Sequence, residues 1–487
     1  MRGLMHDPEL RCRTKPLPRA SRRRSLLTLG ALLLAGCSAP GPGFNPPQTI
    51  PNATFKAVPN ADGIAIAGDW WVMFGDPQLN QLQQQALDTS PTLAIAAARI
   101  ERAWAQWSGV RADRSPRVSV DAGAQRFRTS REIATAPLIA GTRKGIVANQ
   151  FSGQASLSWE LDLWGRLARA DDAAQAQLRA ADLDAVGARL LLTTELAATY
   201  LQWRGLLEEE QVVAAATQTR QDALRVIQLR YDVGVTTDLD LQRARTELAN
   251  AQADAADLTR RREATENAVA LLTGQTPSTL RLVKAPQPLG DAPMVAAQLP
   301  AQVLARRPDI GLAMTQVQGA YAQIGVAQAA FFPQIRLTGF AGSASSDLGT
   351  MLSAPALIFA LGPSISLPIL DGGRNQANLL MSQAALSEVQ ANFQLRVLTA
   401  LREVEDALGE LQHRRTILSA QQRSSEAATR AARVARLRYD QGAASYLEVT
   451  DTERTELAAR RAMTQTRQAQ WNATVQLIKA LGGGWSG

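Results

Sequence analysis

The chain has 487 residues, with 52 Lys and Arg against 44 Asp and Glu, and only two cysteines and two histidines. Two cysteines and two histidines are too few for a disulfide framework and leave room for at most one Cys/His metal site. The formal charge of +8 overstates the basicity: residues 1–36 hold 8 basic and 2 acidic residues, so 44 and 42 remain beyond them, a net +2 that makes no case for nucleic acid.

The chain opens with Arg22, Arg23 and Arg24, then a ten-residue apolar run over 26–35, too short to cross a bilayer as a helix. The run ends in Leu34-Ala35-Gly36-Cys37. That resembles the bacterial lipobox, in which the cysteine is lipidated and becomes the first residue after cleavage. Residues 1–36 are therefore expected to be a lipoprotein signal peptide that takes Cys12 with it. Cys37 is expected to carry lipid, and no other cofactor is expected. A single acyl chain would anchor only marginally, so the resemblance implies more than one. Ser38 after the cysteine implies sorting to the outer membrane. Residues 37–75, rich in Pro, Gly and Asn up to residue 68, are expected to form an N-terminal tether along a surface.

From residue 76 the chain is written twice. LRYDVGVTTDLDL, starting at Leu229, returns as LRYDQGAASYLEV, starting at Leu437, at an offset of 208. SLSWELDLWGR (156–166) returns as SISLPILDGGR (364–374) at the same offset, and residues 90–120 lie over 307–337 at an offset of 217. The order is preserved, which marks a duplication: a first repeat over 76–290 and a second over 291–487. The offset changes by nine, so one copy carries extra residues, placed in a loop between residues 116 and 166.

Within the first repeat, helices are predicted at about 77–115, 165–232 and 238–273, with strands at about 117–128 and 151–163. In the second, helices are predicted at about 309–331, 373–440 and 446–481, with strands at about 334–344 and 361–370. No proline falls between Pro137 and Pro277 or after Pro368, and the composition there is Ala, Leu, Gln, Arg and Glu. Leu241, Ala244, Leu248, Ala251, Ala255 and Leu258 are spaced 3-4-3-4-3, and Val397, Ala400, Val404, Ala407 and Leu411 are spaced 3-4-3-4. This is a coiled-coil seam built on small residues, suited to close packing in a wall. A helix over 166–231 would be on the order of 100 Å long. The twice-written phrase is the turn between two such helices. Gly234 and Gly442 sit where a left-handed residue ends the incoming helix. Thr237-x-x-Asp240 and Ser445-x-x-Glu448 then read as capping boxes.

The strands alternate apolar and polar residues: Val118, Val120 and Ala122 against Ser119, Asp121 and Gly123; Leu157, Trp159 and Leu161 against Ser158, Glu160 and Asp162. Ile335, Leu337, Ile365, Leu367 and Ile369 continue the theme. Strands of about 9–11 residues with one apolar face suit a membrane barrel. Four cannot close one, and open edges are not tolerated in lipid, so other subunits must complete it. Three chains would give twelve strands.

DWWVMFGDPQLNQL (69–82), ARRPDIGLAMTQVQGAYAQIGVAQAAFFPQI (305–335), the WGR/GGR pair and the two RYDxG turns resemble the TolC/OprM-like outer membrane factor family, in its NodT-type lipoprotein branch. The resemblance covers nearly all of the chain beyond the signal. It implies a mainly α fold with a membrane β-barrel: a homotrimer with a 12-strand barrel in the outer membrane and a 12-helix tunnel through the periplasm, circled by a small α/β belt. It implies a passive exit duct for small molecules in a tripartite efflux system of the RND type. The implied partners are a periplasmic membrane-fusion adaptor, an inner-membrane RND transporter and outer-membrane lipid, with no nucleic acid. A protein-secretion duct, or a lipid-anchored coiled-coil structural protein, are the alternatives.

The residues fit a duct that does no chemistry of its own. There is no Walker A loop. The two histidines are His6, in the signal, and His413, in a long helix, so no metal site and no triad suggest themselves. On the family pattern, the second turn carries a periplasmic gate: Leu447 an apolar ring, Asp451 a carboxylate ring, and Arg454 one turn further. An interhelix lock would join Asp240 of one hairpin to Arg438 and Tyr439 of the other. Capping and solvation are the competing readings for Asp240, Glu448 and Arg438. The exported compound and the cognate pump are not legible in the residues.

Overall fold

The computed structural model describes residues 43–46, 55–56, 66–130, 147–284, 290–295 and 300–484; residues 1–36 and Cys37 lie outside the described residues. The elements of the first repeat are α1 (Pro77–Thr89), α2 (Pro91–Ala112), β1 (Arg117–Arg128), β2 (Val147–Leu161), α3 (Arg166–Asp232) and α4 (Asp238–Leu272). Those of the second are α5 (Pro300–Arg306), α6 (Pro308–Ala329), β3 (Gln334–Ser345), β4 (Leu357–Ser366), α7 (Arg374–Asp440) and α8 (Tyr446–Ala480). The duplication is carried through to lengths. α2 and α6 each have 22 residues, α3 and α7 each 67, and α4 and α8 each 35. The helix expected over 77–115 is two helices. Ser90 is extended (φ −66°, ψ 124°), as the residue before a proline prefers, and Pro91 opens α2 as Pro308 opens α6.

The compact units cut across the repeats. One is Asp113–Arg169 with Ile324–Leu379; the other is Gly43–Ala112, Ala170–Gln323 and Leu380–Gly487. Neither repeat can bury its own face alone, so strands associate with strands and helices with helices.

The first unit holds an antiparallel meander in the order β1-β2-β3-β4. Its register aligns Val118 with Leu157, Leu157 with Gly339 and Gly339 with Leu361; one residue along, Ser119 faces Ser156 and Ser156 faces Phe340. One face is therefore Val, Leu, Ile, Ala, Trp and Phe, and the other is largely Ser, Gln, Thr and Gly. Val120 is 80% exposed and Phe359 77%, so the apolar face is uncovered. β4 starts and stops about four residues earlier than expected, leaving Leu367 and Ile369 outside the ladder. Pro368 has no N–H to give it. Just beyond the strands, carboxylates open the long helices. Asp162 accepts from the N–H groups of Leu167 and Ala168, and Asp371 from those of Gly373 and Asn375. Those backbone donors hold the Asp371 carboxyl below the usual carboxylate range.

The second unit is helical. Its largest core joins Trp70, Trp71 and Phe74 to Leu196, Tyr200 and Trp203 of α3, Val404 and Leu408 of α7, and Trp471 and Ile478 of α8. The sequence motif around residue 69 is thus the plug of that core. Asp76 caps α1 and also accepts from Tyr200 Oη and Arg204. The seam residues Leu241, Ala244, Ala251 and Leu258 are buried, as are Val397, Ala400, Val404, Ala407 and Leu411. The second motif has a physical role as well. The buried Arg307 forks onto Asp309, reaches Glu403 of α7 at 2.7 Å and donates to the carbonyl of Ala480, the last residue of α8. Burial alone would push the Asp309 carboxyl up; the Arg307 hydrogen bonds and charge outweigh it and hold the group below its ordinary value. Two described pieces of the tether are pinned here, Phe44 edge-on to Tyr321 and the Lys56 N–H on Glu405.

Candidate functional site

Both long hairpins turn in the same way. Gly234 and Gly442 have φ of 74°, in the left-handed region. Val235 N–H bonds the Arg230 carbonyl and Gly234 N–H that of Tyr231, and Ala443 and Gly442 repeat the pair on Arg438 and Tyr439. These are Schellman motifs, which satisfy the last carbonyls of α3 and α7. Thr237 and Ser445 then cap α4 and α8 by accepting from the N–H groups of Asp240 and Glu448. The return bond of a full capping box is replaced in both turns. The Asp240 carboxylate takes the Thr236 hydroxyl and Arg243, and that of Glu448 takes Arg438 at 2.9 Å.

The expected lock between Asp240 and Arg438 is therefore not made within the chain, because each group is bonded inside its own hairpin. Tyr439 does join the hairpins, with other partners. Its ring lies 4.9 Å from the Arg230 guanidinium and 5.7 Å from the Tyr446 ring, beside a core of Ile227, Leu241, Ala244, Tyr446 and Val449. Burial first, then the carboxylates of Glu453 and Glu247, with smaller contributions from Tyr439 and Asp240, push the Tyr446 phenol up to about 12.

Leu447 and Asp451 lie one turn apart on α8, and both are exposed; Leu447 is 50% exposed. Among the described residues the Asp451 carboxylate makes no hydrogen bond or ion pair. Arg454 is tied to the first hairpin. It binds Glu247 of α4, a carboxylate that also faces Arg220 of α3 at 3.6 Å. The Glu247 hydrogen bond and charge raise the Arg454 pKa, with a smaller contribution from Asp451. One heptad along, Arg461 binds Glu209 of α3 at 2.8 Å and Asp254 of α4 at 3.1 Å. The pairs 454/247 and 461/254 share one sequence separation of 207, so α8 and α4 form a charged ladder. Arg436 of α7 binds Glu453 alongside it.

Glu247, Arg220, Arg230 and Arg461 were not legible as site residues. Glu247 falls beside a seam position and reads as a solvated charge, yet it is buried. The available signal was the seven-residue spacing of Glu247 and Asp254 on α4 against Arg454 and Arg461 on α8. What this end of the helices offers, among the described residues, is apolar side chains, ion pairs and the unpaired carboxylates of Asp440 and Asp451. Among the described residues no cluster of His, Cys, Asp and Glu could hold a metal, and no helix is long and apolar enough to cross a membrane.

With the geometry in place, comparison with known proteins identifies the family. The profile described as outer membrane efflux protein matches residues 82–275 and 299–483. The chain is 31% identical over 460 residues to outer membrane protein OprJ of Pseudomonas aeruginosa, covering 93% of this chain and 94% of that one. It is 32% identical over 474 residues to the solvent efflux pump outer membrane protein SrpC of Pseudomonas putida, covering 95% and 98%. The solved outer-membrane channel OprN superposes with a TM-score of 0.84 at 31% identity, over 91% of this chain and 99% of that one. The chain belongs to the outer membrane efflux protein family.

Proposed function

We propose that this outer membrane efflux protein works as a homotrimer, as the exit duct of a tripartite RND-type efflux system, receiving small molecules from an inner-membrane transporter through a periplasmic adaptor. The observation that carries this reading is the sheet. β1 and β4 each have one edge unpaired within the chain, and the sheet has an uncovered apolar face and a polar face. In lipid such a sheet must close with copies of itself, apolar side outward and polar side lining a lumen. The helices support the same assembly. In the second repeat, α6 packs on α7 through Ile310, Ala313, Val317 and Phe393. In the first, Ile95 and Trp104 of α2 stand exposed, as do Leu380, Met381, Leu395 and Leu398 of α7. The duplication makes α2 the counterpart of α6, so the α2 of one copy fits the uncovered α7 of the next.

In this reading Leu447 and Asp451 ring the axis at the closed tip, and the Arg454–Glu247–Arg220 contact holds α8 against the first hairpin. Lipid on Cys37 tethers each copy to the membrane. The test is a purified, detergent-extracted protein placed in planar bilayers, with complementation of drug susceptibility in a strain lacking its own duct. A conducting trimer is expected. A monodisperse monomer that keeps its strand content would overturn the shared barrel.

A further inference from the structure

At the end of the sheet from which α3 departs, the polar face holds a hollow of about 280 Å³ lined by Asp113, Arg117, Ser158, Glu160, Arg166 and Arg336, with Ser115 and Leu167 at its margin. The register puts them on one face: Arg117 is opposite Ser158, and Glu160 is opposite Arg336. Three guanidiniums meet two carboxylates, so each chain carries one positive charge in excess. The partners are unevenly shared. Arg166 forks onto both oxygens of Glu160, at 2.9 and 3.0 Å, and so occupies that carboxylate. Arg336 is left with a single long contact to Glu160 of 3.4 Å and is half exposed. Arg117 binds Asp113 through one nitrogen at 2.7 Å, with its side chain 75% exposed. Each guanidinium has five N–H donors, so both arginines keep several free. Two residues along and two strands across, their Cα atoms are separated by about 12 Å, within reach of two arginine side chains.

We propose that Arg117 and Arg336 form an oxyanion-binding collar on the lumenal face, taking a carboxylate or phosphate group of transported molecules. The proposal rests on the duct reading, which makes the polar face lumenal and sets three copies of the hollow in one ring. Planar guanidinium donors suit such groups, and a ring of them raises the local concentration of anions. The other charge on the polar faces of the strands is Asp121, on β1, about 13 Å further along. It works against the collar from a distance.

The test is the reversal potential of trimers in planar bilayers under a potassium chloride gradient, with inorganic phosphate as the probe anion. Arg336→Gln combined with Arg117→Ser should lower the chloride-to-potassium permeability ratio by roughly twofold or more at about 0.1 M salt, where charges act over about 10 Å. The difference should close toward 1 M. Phosphate should reduce the wild-type current and lose that effect in the variant, while Asp121→Asn should shift selectivity the opposite way. Arg336→Lys keeps the charge and should keep the selectivity. If Arg117 merely clamps Asp113 and Arg336 merely clamps Glu160, the double variant loses trimer thermal stability while selectivity stays constant, which overturns the collar alone. A trimer that carries no current at any voltage overturns the duct reading and the collar with it.

Discussion

Arg454→Ala probes the contact between the second hairpin and the first. Its partner Glu247 has a side chain only 7% exposed, and Arg220 on the far side is 9% exposed, so neither regains water in place. Arg454 itself is 59% exposed, which screens its share of the interaction. An exposed ion pair contributes about 0–1 kcal/mol, and breaking a buried one costs about 3–5 kcal/mol. Since Arg220 still faces Glu247 at 3.6 Å, the loss should fall between, about 1–2 kcal/mol per chain. A loss near 1.4 kcal/mol is about tenfold in any equilibrium that breaks this contact. If opening the tip is such an equilibrium, resting open events in single-channel records should rise roughly 5- to 30-fold for each contact broken. Glu247→Gln should open the tip and also lower stability, because it leaves Arg220 buried without its counter-charge. Comparing Arg454→Ala, Glu247→Gln and the double variant in a double-mutant cycle gives the coupling of the pair. If Arg454→Ala leaves an intact trimer with wild-type stability and wild-type resting current, this contact does not hold the tip.

Asp451→Ala should weaken block of single channels by divalent or trivalent cations, since three carboxylates near one axis attract them; Leu447→Ala should raise conductance without changing that block. For Asp309, the folded pKa is depressed, so its contribution is full above the ordinary aspartate value and is lost as pH falls through the depressed one. Thermal unfolding followed from neutral to acid pH should show that loss, and Arg307→Ala should flatten it while costing about 1–3 kcal/mol at neutral pH, since Asp309 and Glu403 are partly exposed to water. Gly442→Ala puts a Cβ on a residue at φ 74° and should cost about 1–2 kcal/mol, read as faster amide exchange at the tip. Cys37→Ser should abolish labelling with palmitate.

Long-range order was legible in the residues wherever a physical period enforces it. Proline-free stretches of helix formers marked α3, α4, α7 and α8 to within a residue or two, and alternation marked the strands. Local chain chemistry decided the rest. Pro91 splits the first helix, and Pro368 ends β4 early, although the apolar alternation runs on to Ile369. The turn glycines were readable because Schellman geometry demands a left-handed residue. The lock was not, since Asp240 and Arg438 each have a local partner closer at hand than the other hairpin. Glu247 was hidden for a related reason: a carboxylate beside a seam is ordinarily solvated, and only the packing of three helices around it makes it buried. Sequence separation alone does not reveal which of many arginines will face it.

The duplication also explains why a gate would form at the second turn rather than the first. At an offset of 208, Leu447 corresponds to Leu239, Asp451 to Arg243 and Arg454 to Thr246. In the first turn, Arg243 pairs with Asp240 on the same helix, so the charge at that position is met within its own turn. In the second, the equivalent position has the opposite sign. Glu448, the counterpart of Asp240, is taken by Arg438, which leaves Asp451 unpaired among the described residues. Arg454 stands where the first turn has a threonine, and reaches across to Glu247. At these positions the first turn pairs its charge locally, while the second presents a free carboxylate and a tie to the neighbouring hairpin, two features that suit a charged constriction with a releasable contact. Exchanging the charges, with Arg243→Asp and Asp451→Arg, should move cation block away from the second turn if this asymmetry is what builds the gate. Block that persists unchanged in the exchanged protein would place the constriction elsewhere.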